Sequence, residues 1–378
     1  MREFNFGGGQ PDPKSFPWSG LAAAAQSVLA REGEELVKYP GGGYEPLREV
    51  ASARFEKREG VSLGAENVSI TCGSMQSIEL VTRAFIEPGD IVVCEELTYG
   101  GSLGVFRRLG AELVGIAMDE DGMRMDALTD VLEDLVASGN KPKMIYTIPS
   151  NQNPTGTVLP LERRKMLVEL AKRYEIPVLE DDCYGDLNFT DQPYPPTLYA
   201  LDDSGLVVFV GSFSKIMGPG LRLGYFAVKT SASEMRGKIQ ANRMDGGTSG
   251  LASMIVGEFA KEHLWEHIAV VNHVFSEKLR TLDESLEEHL GDCCTWKNPP
   301  GGMFLWVKLP EETDLERFRV LTGEAGLSFA MGNGFHYAGD QIPYFRLAFG
   351  YPSLDDIRDG VAALAECVRA ALPVAVGV

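Results

Sequence analysis

Basic charge, histidine and long apolar runs are what this sequence has least of. Its 378 residues carry 35 Lys and Arg against 54 Asp and Glu, a formal net charge of −19. That balance argues against sequence-independent nucleic-acid binding, which needs basic patches to displace counterions, and against docking on anionic membranes. No apolar run approaches the roughly 18 residues of a spanning helix. The opening Met1-Arg-Glu-Phe-Asn-Phe-Gly-Gly-Gly lacks the apolar stretch of a secretory signal. The six cysteines, at 72, 94, 183, 293, 294 and 367, form no Cys-x-x-Cys pair. Reduced thiols in a cytoplasmic protein are therefore expected, and the sequons at Asn67 and Asn188 carry no meaning there. Of five histidines, His263 and His267 stand four apart on a helical stretch without the Glu of His-Glu-x-x-His. A solvated helix face is the expectation for that pair, not a metal site.

What remains is ordinary globular material, 44% hydrophobic with 18 Phe and 12 Tyr, enough for a sizeable core. Residues 5–16 are Gly/Pro-rich and read as an irregular arm, and 37–43 as a loop before a helix from Glu45 to Glu59. Short apolar runs then alternate with longer amphipathic ones. Strands are expected at Val68–Thr71, Ile91–Cys94, Glu112–Ile116, Met144–Ile148, Pro177–Glu180, Leu206–Val210 and Leu223–Val228. Helices are expected between them, at Gln76–Phe85, Leu103–Leu109, Met125–Val136, Leu161–Arg173 and Glu234–Asn242. That alternation predicts an α/β fold with a mostly parallel sheet between helices. A long helix over Trp265–Glu288 leads into strand-turn-strand at Thr295–Leu309, a helix at Leu315–Ala325, a strand at Tyr344–Ala348 and a helix at Asp355–Ala371. Residues 275–378 thus read as a smaller α+β domain after a large one over 36–274, with residues 1–35 as an arm belonging to the small part.

Neither a G-x-G-x-x-G nor a Walker loop is present, and the chemistry-bearing segments lie elsewhere. Ile70-Thr-Cys-Gly-Ser-Met-Gln runs from a strand through Gly73 into a helix, whose first N–H groups form a nest for phosphate or carboxylate. Asn153-Pro-Thr-Gly follows a strand and turns the Asn amide toward the strand ends. In Val178-Leu-Glu-Asp-Asp-Cys-Tyr, acidic residues close an apolar strand. Finally, Val210-Gly-Ser-Phe-Ser-Lys-Ile-Met-Gly-Pro-Gly-Leu-Arg places a lysine among hydroxyls directly after a buried strand. Desolvation there lowers an amine's pKa, which is what a Schiff-base lysine needs.

Together these segments resemble the fold-type-I pyridoxal-phosphate (PLP) enzymes of the class I/II aminotransferase family. The pattern is nearest to the 2-aminoadipate and aromatic aminotransferase branch, which shares its fold with MocR-type regulators. The resemblance spans Gly9-Gln-Pro-Asp12 to Phe345-Arg-Leu-Ala348. It rests on Asn-Pro-Thr-Gly, Glu-Asp-Asp-x-Tyr, Ser-x-Ser-Lys with Arg222 seven further on, and Pro-x-Gly-Met-Phe-x-Trp, in family order.

The resemblance implies a role for each residue. Lys215 would hold pyridoxal 5′-phosphate as a Schiff base and shuttle a proton at the substrate Cα. Asp181 would pair with the pyridine nitrogen, with Asp182 as the alternative, while Asn153 and Tyr184 would hydrogen-bond the phenolic oxygen. Tyr99 would stack on the ring. Gly73, Ser74, Met75, Ser212, Ser214 and Arg222 would hold the phosphate, with Gln76 as a further candidate. Gly9, Asn153 and Arg346 would take the substrate carboxylate. Tyr39, with Tyr44 as the alternative, would reach the neighbouring subunit's phosphate, implying a homodimer with shared active sites. Three stretches depart from the family pattern: the loop Lys38–Tyr44 is one residue short, and Asn242–Gly250 and Ala330–Gly334 are glycine-rich where the specificity pocket would lie.

Amino-group transfer between an L-amino acid and a 2-oxo acid is the expected reaction. The alternative keeps the cofactor but breaks another Cα bond, as a lyase, decarboxylase, cyclase or oxidase would. A regulator without turnover fits less well, because the fold pattern starts by about residue 5 and the charge is strongly acidic.

Overall fold

The computed structural model describes residues 2–373; Met1 and the last five residues of the expected small domain lie outside them. Seven strands make the central sheet: β1 (Val68–Thr71), β2 (Ile91–Glu95), β3 (Glu112–Ile116), β4 (Met144–Thr147), β5 (Val178–Asp182), β6 (Val207–Ser212) and β7 (Gly224–Ala227). Their order is β1-β7-β6-β5-β4-β2-β3, with β7 antiparallel to both neighbours and the other pairs parallel. Most positions in these strands are buried, as expected where helices cover both faces. Because β1 and β6 both oppose β7, the carboxyl ends of β1, β2, β4, β5 and β6 share one edge. Ligands of open α/β sheets bind at that edge.

Helices α1 (Trp18–Glu32), α2 (Glu45–Glu59), α3 (Ser74–Phe85), α4 (Gly100–Arg108), α5 (Met125–Ala137), α6 (Leu161–Tyr174), α7 (Ser233–Gln240), α8 (Gly250–Leu290), α9 (Leu315–Glu324) and α10 (Leu354–Ala371) complete the framework. Strand bounds differ from expectation by a residue or two, but α1, within the arm 1–35 and past its irregular stretch 5–16, is a helix that the sequence reading does not expect. Its Trp-Ser-Gly-Leu-Ala-Ala-Ala-Ala run has little contrast between faces, so periodicity is weak although alanine favours helix. Helix α8 begins 15 residues before its expected start, at Gly250 rather than Trp265, capped by the Ser249 side chain. Its Gly257 breaks nothing: a Cβ there would lie 3.4 Å from the Leu47 nitrogen, so the glycine lets α2 pack close.

The second sheet is antiparallel, with β8 (Thr295–Trp296), β9 (Phe304–Lys308), β10 (Ala330–Met331) and β11 (Tyr344–Ala348) in the order β8-β9-β11-β10. Arg346 on β11 sits between Trp306 and Ala330 on its neighbours. The amino-terminal arm is tied to this part: Phe4–Asn5 pairs with Leu327–Ser328, and Ala348 N–H donates to the Phe6 carbonyl at 2.8 Å. Those bonds carry Gly7 and Gly9 to the sheet edge where the two parts meet.

Candidate active site

Alternation along β5 sorts its acidic residues. Asp181 faces a cavity of about 120 Å³ together with Ser74, Tyr99, Tyr184, Lys215 and Arg222. Asp182, on the opposite face, pairs with Arg58 at 2.7 Å. Glu180 accepts from the Leu198 and Tyr199 N–H groups, both at 2.8 Å. Period two therefore separates Asp181 from its alternative, Asp182. Burial raises the Asp181 pKa above the usual aspartate value, and the Tyr146 hydroxyl, donating to its Oδ2 at 2.9 Å, works against that rise.

Lys215 enters the same cavity from the loop after β6 and donates from Nζ to the Gly9 carbonyl at 2.8 Å. Desolvation lowers its pKa, favouring a neutral, nucleophilic amine. The arm must come close here. A Cβ on Gly9 would stand 2.9 Å from Phe304 Cζ and 3.1 Å from the lysine nitrogen. His267, expected on a solvated face, is instead buried and hydrogen-bonds the Ile216 carbonyl from α8, next to the lysine. Burial lowers its pKa. His263 is exposed as expected.

Asn153 and Arg346 are both buried, and Arg346 Nη1 donates to Asn153 Oδ1 at 2.8 Å. Arg346 Nη2 donates to the Gly7 carbonyl at 2.7 Å, and its guanidinium lies 4.0 Å from the Phe304 ring centre. Burial lowers its pKa to about 10. On the other side of Phe304 stands Tyr184, edge-on at 5.4 Å. Burial drives the Tyr184 pKa well above the usual phenol value, so its hydroxyl keeps its proton.

At the cavity's other end, β1 runs into Gly73 at φ +75° and then into α3. The free N–H groups of Ser74 and Met75 begin that helix, and the Ser74 and Met75 residues line the cavity. Ser212 and Ser214 line it too, with Ser214 N–H donating to Ser212 Oγ at 3.1 Å. Arg222, in left-handed conformation at φ +53°, donates to the Cys72 carbonyl at 2.9 Å and packs against Gly73. The Gln76 side chain turns elsewhere, accepting from Cys72 N–H at 2.7 Å and donating to Asp245 at 2.5 Å. Tyr39 does not line the cavity; it is 91% exposed and rests against Gly246. Tyr44, its alternative, donates to Glu32 at 2.5 Å within its own subunit.

Residues that sequence reasoning missed lie behind this wall. Arg54 and Asp186 form a fully buried ion pair, and Arg54 Nη1 donates to the Ser212 carbonyl at 2.8 Å. The signal was present: Leu47, Ala51, Arg54 and Arg58 recur at helical spacing along one face of α2.

Among the described residues of this site the acceptor Asp181 Oδ1 and the donor Asn153 Nδ2 are buried with no hydrogen-bond partner, as is Arg346 Nε. Leaving such groups unmet costs about 1–3 kcal/mol each. A protonated pyridine nitrogen meets the acceptor, a phenolate oxygen meets the donor, and the cup at Gly73, Ser74 and Arg222 suits a phosphate. The residues therefore fit pyridoxal 5′-phosphate. Residues 3–364 match the family described as aminotransferase class I and II.

The chain belongs to the class I and II aminotransferases. Aromatic-amino-acid aminotransferase 1 of Thermococcus litoralis is 32% identical over 364 residues, 96% of this chain and 87% of that protein. An uncharacterized HTH-type transcriptional regulator of Bacillus subtilis, YisV, is 32% identical over 333 residues, 86% of this chain and 66% of that protein. The crystal structure of Pyrococcus horikoshii kynurenine aminotransferase, in complex with PMP, superposes with a TM-score of 0.91 at 32% identity, covering 99% of this chain and 92% of that one. As an aminotransferase of this fold type, the protein uses pyridoxal 5′-phosphate and is an enzyme of amino-group transfer. Among the described residues no helix is long and apolar enough to cross a membrane.

Proposed function

We propose that this aminotransferase moves an amino group between an L-amino acid and a 2-oxo acid, with Lys215 as the residue bonded to the cofactor and as the base at the substrate Cα. The juxtaposition that carries this reading is a desolvated Lys215 amine in one cavity with the unmet Asp181 carboxylate oxygen. When bound, the cofactor withdraws electrons from the substrate Cα and carries the amino group between the two half-reactions. Asp181 holds the pyridine nitrogen protonated, and Asn153 with Tyr184 donates to the phenolic oxygen. Tyr99 covers the ring. Gly73, Ser74, Met75, Ser212, Ser214 and Arg222 anchor the phosphate, while Gln76 acts on the surrounding loop. Arg346 takes the substrate carboxylate bidentately with Gly9 and Asn153 at its side, orienting the Cα–H bond toward Lys215. Until cofactor binds, the Gly9 carbonyl accepts from the lysine amine at 2.8 Å.

The same proposal divides the chain into a cofactor-binding part over 36–274 and a smaller part over 275–378 joined by the arm 1–35. It assembles the protein as a homodimer with shared sites. Tyr39, Val37 and Met244 are 91%, 86% and 96% exposed, an apolar surface that a second copy would cover. Tyr39 then reaches the partner's phosphate, since it is free of its own site. A cytoplasmic location is supported by six free cysteines.

Replacing Lys215 by Ala tests the assignment. Turnover of amino acid with oxo acid is expected to fall by at least about a thousandfold, in line with loss of a covalent catalytic group. Unfolding by urea is expected at an unchanged or higher midpoint, because a desolvated amine is removed. Retained turnover would overturn the proposal.

A further inference from the structure

Behind the cofactor-facing wall, a second buried hydroxyl system touches Asp181. Tyr146 stands on β4 next to β5, fully buried, its ring edge-on to Phe106 at 5.2 Å. Ser102 on α4, also fully buried, donates to the Tyr146 oxygen at 2.9 Å. With its lone pair engaged, Tyr146 donates its own proton to Asp181 Oδ2 at 2.9 Å. The nearby buried Glu95 takes no part, since Thr147, Ile148 and Thr98 occupy its oxygens at 2.6, 3.0 and 2.8 Å. Burial holds the Tyr146 hydroxyl protonated well beyond the ordinary phenol range, so it remains a donor. The chain Ser102–Tyr146–Asp181 thus has a fixed direction and ends at a carboxylate whose other oxygen, Oδ1, is unmet.

We propose that Tyr146 is a positioning residue for Asp181, tying Oδ2 so that Oδ1 is aimed at the pyridine nitrogen and the carboxylate stays ionised as its partner. This rests on the reading of Asp181 given above. Physically, a carboxylate turns easily about its last torsion, and a single fixed donor removes that freedom. A hydrogen bond to the charged form also offsets the cost of burying it. The other titratable groups facing Asp181 are Cys183, Lys215, Tyr99 and Tyr184 on the cavity side and Asp182 across the sheet. The Cys183 thiol and backbone also bond Asp181 from the adjoining residue, and Cys183 and the two tyrosines are neutral near neutral pH, so Tyr146 is the donor from a separate element whose removal is cleanest. Phenylalanine keeps the ring and its packing against Phe106 while deleting the hydroxyl.

The test uses apoprotein of four forms: wild type, Tyr146→Phe, Asp181→Asn, and the double variant. Binding of pyridoxamine phosphate is measured calorimetrically. The pyridine nitrogen of the bound, ¹⁵N-labelled ligand is observed by NMR. Tyr146→Phe is expected to weaken binding about tenfold, the size of a hydrogen bond to a charged group. It should also move the ¹⁵N resonance toward that of an unprotonated pyridine. On the Asp181→Asn background the same change should alter affinity less than twofold, because the residue acts through Asp181. Equal affinity and an unshifted resonance in Tyr146→Phe would overturn the proposal, as would a full additional loss in the double variant. If Asp181→Asn itself binds like wild type, the assignment of Asp181 fails and Tyr146 falls with it, a distinct outcome. Should Tyr146→Phe not fold, Ser102→Ala takes its place, with about a threefold loss and a resonance shift of the same sign expected; no change in either would again overturn it.

Discussion

Arg346 and Asn153, 193 positions apart in the chain, meet inside the site through a 2.8 Å hydrogen bond from Nη1 to Oδ1. The bond joins a strand of the small sheet to a loop of the central one. It leaves the Asn153 amide nitrogen unmet for the cofactor oxygen. One contact therefore links the proposed grip on the substrate carboxylate to the electronics of the ring. Arg346 also rests on Phe304, which excludes water from that junction.

Replacing Arg346 by Lys keeps the charge and removes the planar fork. The amino-acid concentration for half-maximal reduction of the cofactor is expected to rise about 10–100-fold, the loss of one or two charge-assisted hydrogen bonds. Cofactor affinity should change by less than about threefold, because Asn153 keeps its amide. Rapid-mixing absorbance against amino-acid concentration gives the first quantity, and calorimetric titration of the apoprotein the second.

Gly73→Ala should damage the phosphate cup selectively. The position needs φ +75°, and an added Cβ would lie 2.6 Å from Arg222 Nη2. Displacing that guanidinium is expected to weaken pyridoxal phosphate binding by about tenfold or more, with roughly 1 kcal/mol lost from the apoprotein's stability. Pyridoxal without phosphate should bind both forms alike, which equilibrium dialysis would show.

How much of this was legible depended on whether a residue's signal is local. The strands and the Lys215 loop announce themselves through apolar runs and flanking glycines and hydroxyls. The rivalry between Asp181 and Asp182 could be settled only by knowing which face of β5 meets the cavity, a fact of packing. Tyr146 lies inside an apolar strand and reads as core until Asp181 is seen beside it. His267 reads as surface from its i,i+4 partner, yet α8 turns it onto the lysine loop. Tyr39 and Tyr44 share one short loop and the same residue type, so their sequence does not separate them, whereas in the structure Tyr44 donates to Glu32 and Tyr39 stands exposed.

Asp186 carries a prediction about stability. Burial alone would raise its pKa, but Arg54 and Arg58 overcome that and hold it below the usual aspartate value. Asp186→Asn leaves the buried Arg54 guanidinium without its counter-charge, while Arg58 keeps Asp182, and is expected to cost about 3–5 kcal/mol in urea unfolding. Because the folded value is depressed, this stabilisation is complete above the ordinary aspartate range near about pH 4 and fades as pH falls through the folded value. The wild-type and variant stabilities should therefore converge in acid. The variant should also hold cofactor less tightly, since Arg54 pins the Ser212 carbonyl.

For Lys215 the sign is opposite to that of a paired lysine. Its pKa is lowered by desolvation, so between the folded value and the ordinary lysine value near about 10.4 the unfolded chain binds more protons. Apoprotein stability contributed by this residue accordingly rises with pH across that window. Subtracting the stability curve of Lys215→Met isolates the effect: the wild type should lag the variant at lower pH and gain on it as pH rises. A constant difference would show that the amine is not desolvated.

The central claim is amino-group transfer, and the direct measurement is stoichiometric. Holoprotein is mixed with a panel of single L-amino acids without any 2-oxo acid, and the products are quantified after removing the protein. The account predicts, for an accepted amino acid, one 2-oxo acid and one pyridoxamine phosphate per subunit, with no carbon dioxide, ammonia or peroxide released and nothing from Lys215→Ala. Cofactor left entirely as pyridoxal phosphate while the amino acid is consumed, or release of carbon dioxide or ammonia over many turnovers, would contradict it.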